Sequence, residues 1–194
     1  MRICLGHMIQ ILRTSCSRLW RSWQVERRNP GMRSNHPVVW DYDDVSQIRI
    51  GEEVHIGAFT ELAVLSRPEL SKIRGRLVIG KRTQVGSGCN IRACGGEVSI
   101  GENCIIAQHV SLIAANHEFR AGAIYRDLPW DAKRHGVHIG TNVWLGAGVT
   151  VLPGCSIGDH AIIAAGSVVT KNVPPSEIWG NIPARKLRSI EETP

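Results

Sequence analysis

From Ile50 onward an aliphatic residue returns at every sixth position, interrupted twice, with glycine or alanine most often second and a small or β-branched residue fifth. Ile50-Gly51-Glu52-Glu53-Val54-His55 and Ile56-Gly57-Ala58-Phe59-Thr60-Glu61 open the series. It resumes at Ile79-Gly80 and Val85-Gly86, then at Ile100-Gly101, Ile106-Ala107 and Leu112-Ile113, a hexapeptide that ends in Asn116-His117. It restarts at Ile139-Gly140 and runs through Leu145-Gly146, Val151-Leu152, Ile157-Gly158 and Ile163-Ala164 to Val168. A period of six matches neither the 3.6 of an amphipathic helix nor the alternation of a two-faced strand. It predicts a coil of short parallel strands, about one hexapeptide each, turning three corners per rung. The opening aliphatic points into the prism and stacks on its equivalents above and below. The small residue beside it lets the backbone bend and pack closely at the corner.

Two segments break the frame. Residues 66–77 carry Pro68 and several charges and read as a loop on one rung. Residues 118–137 carry Tyr125, Pro129, Trp130 and Asp131 and read as a long loop thrown out from a rigid solenoid, a place where function concentrates.

Ahead of the repeat the period changes to that of a helix. Leu5, Met8, Ile9, Leu12, Cys16, Leu19 and Trp23 share one face and His7, Gln10, Thr14, Arg18 and Arg21 the other, which predicts an amphipathic helix over about residues 3–24. Its apolar run is shorter than the ~18 residues that span a bilayer, and no small-x-small cleavage site follows, so a cytoplasmic chain is expected. Either the helix packs on the domain or on a partner subunit, or it lies on a membrane surface as a peripheral contact, its arginines against anionic lipid. Asn29-Pro30-Gly31 ends it and opens a connector to about Pro37. Two regions follow: a basic N-terminal segment with connector over 1–37, and a repeat domain over 38–190.

Composition and charge narrow this picture. With 20 glycines but 2 Phe and 2 Tyr in 194 residues, the chain has the short aliphatic interior that a narrow prism requires. The net charge of +6 lies in the first 33 residues, where seven arginines (2, 13, 18, 21, 27, 28 and 33) face Glu26 alone. The body is neutral and shows no basic patch interleaved with aromatics, so nucleic acid is not the expected partner. The six cysteines form no CxxC pair, and Cys89, Cys104 and Cys155 all take the small fifth place of the repeat, which predicts buried thiols rather than disulfides.

The hexapeptides resemble those of acyltransferases built on the left-handed parallel β-helix, over about residues 48–190. The stretch Val143-Trp144-Leu145-Gly146-Ala147-Gly148-Val149-Thr150-Val151-Leu152-Pro153-Gly154 is similar to the end of the catalytic rung in galactoside and xenobiotic acetyltransferases. Ala165-Gly166-Ser167-Val168-Val169-Thr170-Lys171, Pro174-Pro175 and Gly180-Asn181-Ile182-Pro183-Ala184-Arg185 resemble the CoA-binding end. The resemblance implies an all-β, left-handed solenoid with an N-terminal helix, one protruding loop and a short C-terminal helix; the usual crossover rule would have implied the right hand. It implies acetyl-CoA as co-substrate, no metal, and a homotrimer whose active sites lie between neighbouring subunits.

In that family the catalytic histidine sits where the chain leaves its rung for the loop, the place of His117. Such a residue takes the acceptor's proton as it attacks the thioester, a task suited to an imidazole, which titrates near neutral pH. Ala147 and Ala165 match residues whose backbone meets the pantetheine arm, Thr170 and Lys171 the next contacts, and Arg185 and Arg188 basic residues that meet the nucleotide phosphates. A solvated face of the C-terminal helix is the plainer account of the two arginines. Trp144 either lines the thiol end or packs between subunits. Where galactoside acetyltransferases carry polar acceptor ligands this chain has Ser87 and Gly95, which makes it closer to the acetyltransferases of surface-polysaccharide biosynthesis. Asn116, Tyr125, Trp130 and Asp131 are candidate acceptor contacts, since aromatic faces stack on sugar rings. Two other classes use such a solenoid. One is a γ-carbonic-anhydrase-like zinc enzyme drawing on His109, His117, His135 and His138; the other is a non-catalytic trimeric scaffold.

Overall fold

The computed structural model describes residues 5–191, with side chains described from Ser17 onward. The hexapeptides form strands of two to five residues in three sheets of eight, six and five strands, parallel except for one C-terminal hairpin. The five-stranded sheet (Ile48–Ile50, Arg76–Ile79, Glu97–Ile100, Val137–Ile139, Cys155–Ile157) stacks Ile50, Ile79, Ile100, Ile139 and Ile157 in register. The eight-stranded sheet stacks Ile56, Val85, Ile106, Leu145 and Ile163, and the six-stranded sheet Leu62, Ile91, Leu112, Val151 and Val169. These side chains are the buried core of the prism, and each contributes about 1.5–3 kcal/mol by leaving water. Buried aromatics stand at the ends of the solenoid, Trp40 and Tyr42 in the first rung and Trp179 in the last, where the interior opens.

The corners differ from the expectation in one respect. The second-place glycine serves close approach between rungs: a Cβ on Gly80 would stand 2.6 Å from the carbonyl carbon of Gly101. The bend lies at the fourth place, where Glu53, Arg82, Asn103, Asn142 and His160 adopt φ between 54° and 61°. Cys89, Cys94, Cys104 and Cys155 are free and buried, and burial raises all four thiols above the usual thiol range. Cys4, and the side chain of Cys16, lie outside the described residues.

The N-terminal helix α1, Leu5–Arg28, runs one turn further than expected, and Asn29 ends it by donating its side-chain amide to the Val25 carbonyl (2.8 Å). The side chains of Leu5, Met8, Ile9, Leu12 and Cys16 lie outside those described. The rest of the helix docks through polar groups. Arg21 donates to the Tyr42 carbonyl (2.6 Å), the Tyr42 hydroxyl donates to Gln24 (2.7 Å), and the Asn29 side-chain oxygen accepts from the Ile50 amide (2.8 Å). The open first rung carries backbone groups that need partners, so the hydrogen-bonding side of the helix faces it. The connector contributes a strand of its own, Arg33–Ser34, which pairs with His55–Ile56.

The expected C-terminal helix is instead a strand. Arg185–Ser189 pairs antiparallel with Glu177–Gly180. Asn181 at φ 80° and Pro183 make the turn, which leaves too few residues before Ile190 for a stable helix. Glu177 fastens the hairpin, accepting from Lys186 Nζ (2.6 Å) and Trp179 Nε1 (2.7 Å), and these bonds hold its carboxyl below the usual carboxylate range.

Candidate active site

Where the six-stranded sheet hands over to the five-stranded one, the chain leaves its rung after Ser111–Ile113 and returns at Val137–Ile139. The excursion is closed at its base. His117 and Trp130 form an antiparallel bridge, flanked by the Glu118 amide donating to the Pro129 carbonyl (2.8 Å) and the Asp131 amide to the Asn116 carbonyl (2.9 Å). The shorter loop supports the longer one, since the Trp130 amide donates to the Leu70 carbonyl (2.9 Å).

This closure orients the imidazole of His117. Its Nδ1 lies 2.8 Å from the Leu128 carbonyl, which can only accept, so Nδ1 carries the proton and Nε2 the lone pair. The indole Nε1–H of Trp130 donates to that Nε2 at 3.2 Å, the rings meeting edge to face. Trp130 in turn rests where any side chain at Gly95 would stand: a Cβ there would collide with the indole, and Gly95 has φ +65°. The position that reads from sequence as a missing acceptor ligand is therefore the seat of Trp130.

A cleft of about 270 Å³ opens beside the ring, lined by Asn116, His117, Phe119, Asp131, Arg134, Leu152 and Pro153. The structure thus brings together Asn116, His117 and Asp131. Tyr125 lies elsewhere, exposed on a short 3₁₀ turn (Tyr125–Asp127) away from the lining, and Trp130 backs the His117 imidazole rather than lining the cleft. Arg134 was not legible in the repeat frame. Its guanidinium donates to the Thr170 carbonyl (3.2 Å), and the Gly154 amide donates to the Gly136 carbonyl (2.7 Å), so the loop's return is pinned two rungs onward. Its position just before the frame restarts, beside the Pro153-Gly154 corner, is the only sequence signal that marks it.

The residues expected on the donor side divide between corners. Thr170 and Lys171 follow the strand Val168–Val169 on the same corner as His117, with Lys171 Nζ 5.2 Å from the centre of the Trp179 ring. Ala147 and Ala165 stack at a different corner, between the eight- and six-stranded sheets, where the Gly166 amide donates to the Ala147 carbonyl (2.8 Å). Arg185 and Arg188 are exposed on the hairpin strand. Trp144 is half exposed on the outer face of the eight-stranded sheet, in register with the equally exposed Ile105. The other histidines are dispersed: His138 Nδ1 meets Ser99 (2.8 Å), and His109 turns a corner against Gly88. Among the described residues no three His, Cys, Asp or Glu groups gather as a metal site.

Residues 136–171 match the family model described as bacterial transferase hexapeptide (six repeats). The chain is 37% identical over 99 residues to a galactoside O-acetyltransferase of Escherichia coli, covering 49% of this chain and 45% of that one. It spans about half the length of the curated relatives it matches. Among solved structures, it superposes with a TM-score of 0.68 on AntD, an N-acyltransferase from Bacillus cereus in complex with dTDP and 3-hydroxybutyryl-CoA, at 17% identity over 88% of each chain. A maltose O-acetyltransferase from Clostridium difficile gives a TM-score of 0.55 at 25% identity, over 84% of this chain and 69% of that one. The chain is therefore similar to the hexapeptide-repeat acetyltransferases and shares their fold, the left-handed parallel β-helix.

Proposed function

We propose that the protein transfers acetyl from acetyl-CoA to a hydroxyl, or an amino group, of a sugar, with His117 as general base. The observation that carries this reading is the fixed tautomer of His117. The Leu128 carbonyl holds the proton on Nδ1, which leaves the lone pair on Nε2, where the Trp130 indole now donates, on a ring that lines a cleft large enough for part of a sugar ring. As the acceptor oxygen attacks the thioester carbonyl carbon, its proton passes to Nε2. The C–S bond then breaks, and the departing CoA sulfur takes that proton back, so the imidazole is restored. The Leu128 carbonyl stabilises the transient imidazolium through Nδ1–H. No covalent acyl-enzyme is needed.

Support for the donor comes from the names of the relatives and from the CoA ligand of the Bacillus protein. In this reading the backbone at Ala147 and Ala165 guides the pantetheine arm, Thr170 and Lys171 follow it, and Arg185 and Arg188 take the phosphates. Ala147 and Ala165 stand on a different corner from His117, Thr170 and Lys171, so the site is assembled between copies, the base with Thr170 and Lys171 from one and Ala147 and Ala165 from the next. A homotrimer in the cytoplasm supplies that arrangement. Asn116, Asp131 and Arg134 face the acceptor, and a surface-polysaccharide sugar is the substrate class. The deciding experiment is a thiol-release screen with acetyl-CoA against sugars, amino sugars and nucleotide sugars, with product mapping by mass spectrometry. Release no faster than that of a His117→Ala control on every acceptor would refute the reading.

A further inference from the structure

Over its described side chains, the helix α1 turns its apolar side away from the body that it caps. The sequence places Leu19 and Trp23 on the apolar face, yet they are 66% and 44% exposed, and Trp20 between them is 56% exposed. The side that touches the solenoid carries Arg21, Ser22, Gln24 and Val25, and of these only Val25 makes a buried apolar contact. An amphipathic helix ordinarily buries its apolar stripe on its own domain. Here the described part of the stripe, Leu19 and Trp23, is offered outward, on a helix of 24 residues, about 36 Å long.

Trp20 and Trp23 stack with ring centres 4.7 Å apart, and the Arg27 guanidinium lies 5.1 Å from the centre of the Trp23 ring. Aromatic rings flanked by guanidinium groups suit the boundary between acyl chains and anionic headgroups, where an indole keeps one edge wet and the arginine meets phosphate. Charge points the same way. The first 33 residues hold seven arginines against one glutamate, while the rest of the chain balances sixteen basic with sixteen acidic side chains. Arg21 finds one carboxylate of the body, Asp41 at 3.8 Å, but the body as a whole carries no net charge, and a second α1 would bring like charge against this face. No helix among the described residues is long and apolar enough to cross a membrane.

We infer that the outward face of α1, built on Leu19, Trp20 and Trp23 with Arg27 beside them, docks on an anionic lipid surface and lies in its interface. The helix holds the solenoid at the membrane end-on, by the rung that Asn29 caps. This is independent of the chemistry proposed for His117.

Co-sedimentation of the full chain with phosphatidylcholine vesicles, alone or mixed with phosphatidylglycerol, tests it. Binding is expected on the mixed vesicles and at least about tenfold weaker on phosphatidylcholine alone. It is expected to fall in about 1 M salt, where the Debye length is about 3 Å. The variant Trp20→Ser/Trp23→Ser alters exposed side chains only, and should keep the native melting temperature while losing roughly tenfold or more of the partition. Arg27→Gln, a second variant on the same face, should weaken the preference for anionic lipid. Equal binding to both vesicle types, absence of binding to either, or an unchanged partition of both variants would each overturn the inference. So would a change in oligomeric mass on the tryptophan substitutions, which would assign the face to a second copy of the chain.

Discussion

The indole nitrogen of Trp130 donates to Nε2 of His117 across 3.2 Å, so in the free protein it occupies the lone pair to which the proposed mechanism assigns the acceptor's proton. The same loop supplies the Leu128 carbonyl, which accepts from Nδ1–H and so keeps the proton on the far side of the ring. One segment therefore both sets the tautomer of the ring and covers Nε2, and under the proposed mechanism an acceptor hydroxyl has to replace the indole N–H.

Trp130→Phe keeps a ring over Gly95 and removes the competing donor. A net hydrogen bond of about 0.5–1.5 kcal/mol no longer has to be exchanged, so acceptor kcat/KM should rise about two- to tenfold with CoA affinity unchanged. Steady-state kinetics at saturating acetyl-CoA read this directly. A fall in kcat/KM would instead make the indole a group that assists turnover.

His117→Ala removes the proposed base and leaves the rung, because the loop closure rests on backbone bonds of residues 116, 118, 129 and 131. Acetyl transfer should drop by about 10²–10⁴. CoA affinity by calorimetry and the oligomeric mass should not change. Retention of most of the rate on a good acceptor would remove His117 from the chemistry.

Gly95→Ala forces a side chain into a left-handed backbone and against the Trp130 indole. Chemical denaturation should show a loss of about 1–3 kcal/mol. In a Trp130→Ala background the collision is gone and part of that loss should disappear, giving a measurable coupling. Strictly additive effects would mean that the two residues do not share the site.

The hairpin arginines test the donor side. Arg185→Ala should weaken CoA by about tenfold, one charge-assisted hydrogen bond being about 1.5–3 kcal/mol, and leave a pantetheine fragment without the nucleotide phosphates unaffected. Equal losses for both ligands would place Arg185 outside the phosphate contact.

Burial raises the thiols of Cys89, Cys94, Cys104 and Cys155, because desolvation disfavours the thiolate. Groups titrating higher in the folded than in the unfolded chain contribute stability that is complete below the unfolded value, about 8.5, and is lost as pH rises through the folded one. Unfolding free energy should therefore decline above about pH 8.5. In a Cys4→Ser/Cys16→Ser variant a thiol reagent should react with none of the four until denaturant is added. Rapid native labelling of any of them would contradict the packing.

Much of the solenoid was legible because a stacked prism repeats its demands. Every rung asks for an inward aliphatic, so Ile50, Ile79, Ile100, Ile139 and Ile157 declare their register along the chain itself. The two loops showed as breaks in that period, and His117 was marked by standing where one of them begins. The conformation of a loop outside the period was not legible. That Trp130 reaches back to His117 over the bare backbone of Gly95, and that Arg134 pins the return to Thr170, depend on contacts between residues far apart in sequence and on which hydrogen bonds remain open there.

The termini show the same division more sharply. The helical period of residues 5–28 is written in the sequence, and so is the amphipathic stripe that runs along it. Which face docks was decided by the first rung, whose unpaired Ile50 amide and Tyr42 hydroxyl drew the polar side inward and left Leu19, Trp20 and Trp23 outside. At the other end Arg185–Ser189 carries no strong helical or strand pattern of its own, and became a strand because Glu177–Gly180 presented an edge to pair with. Local sequence determines an element when its period is satisfied by its own neighbours. It cannot determine one whose hydrogen-bonding partners are supplied only by the assembled fold.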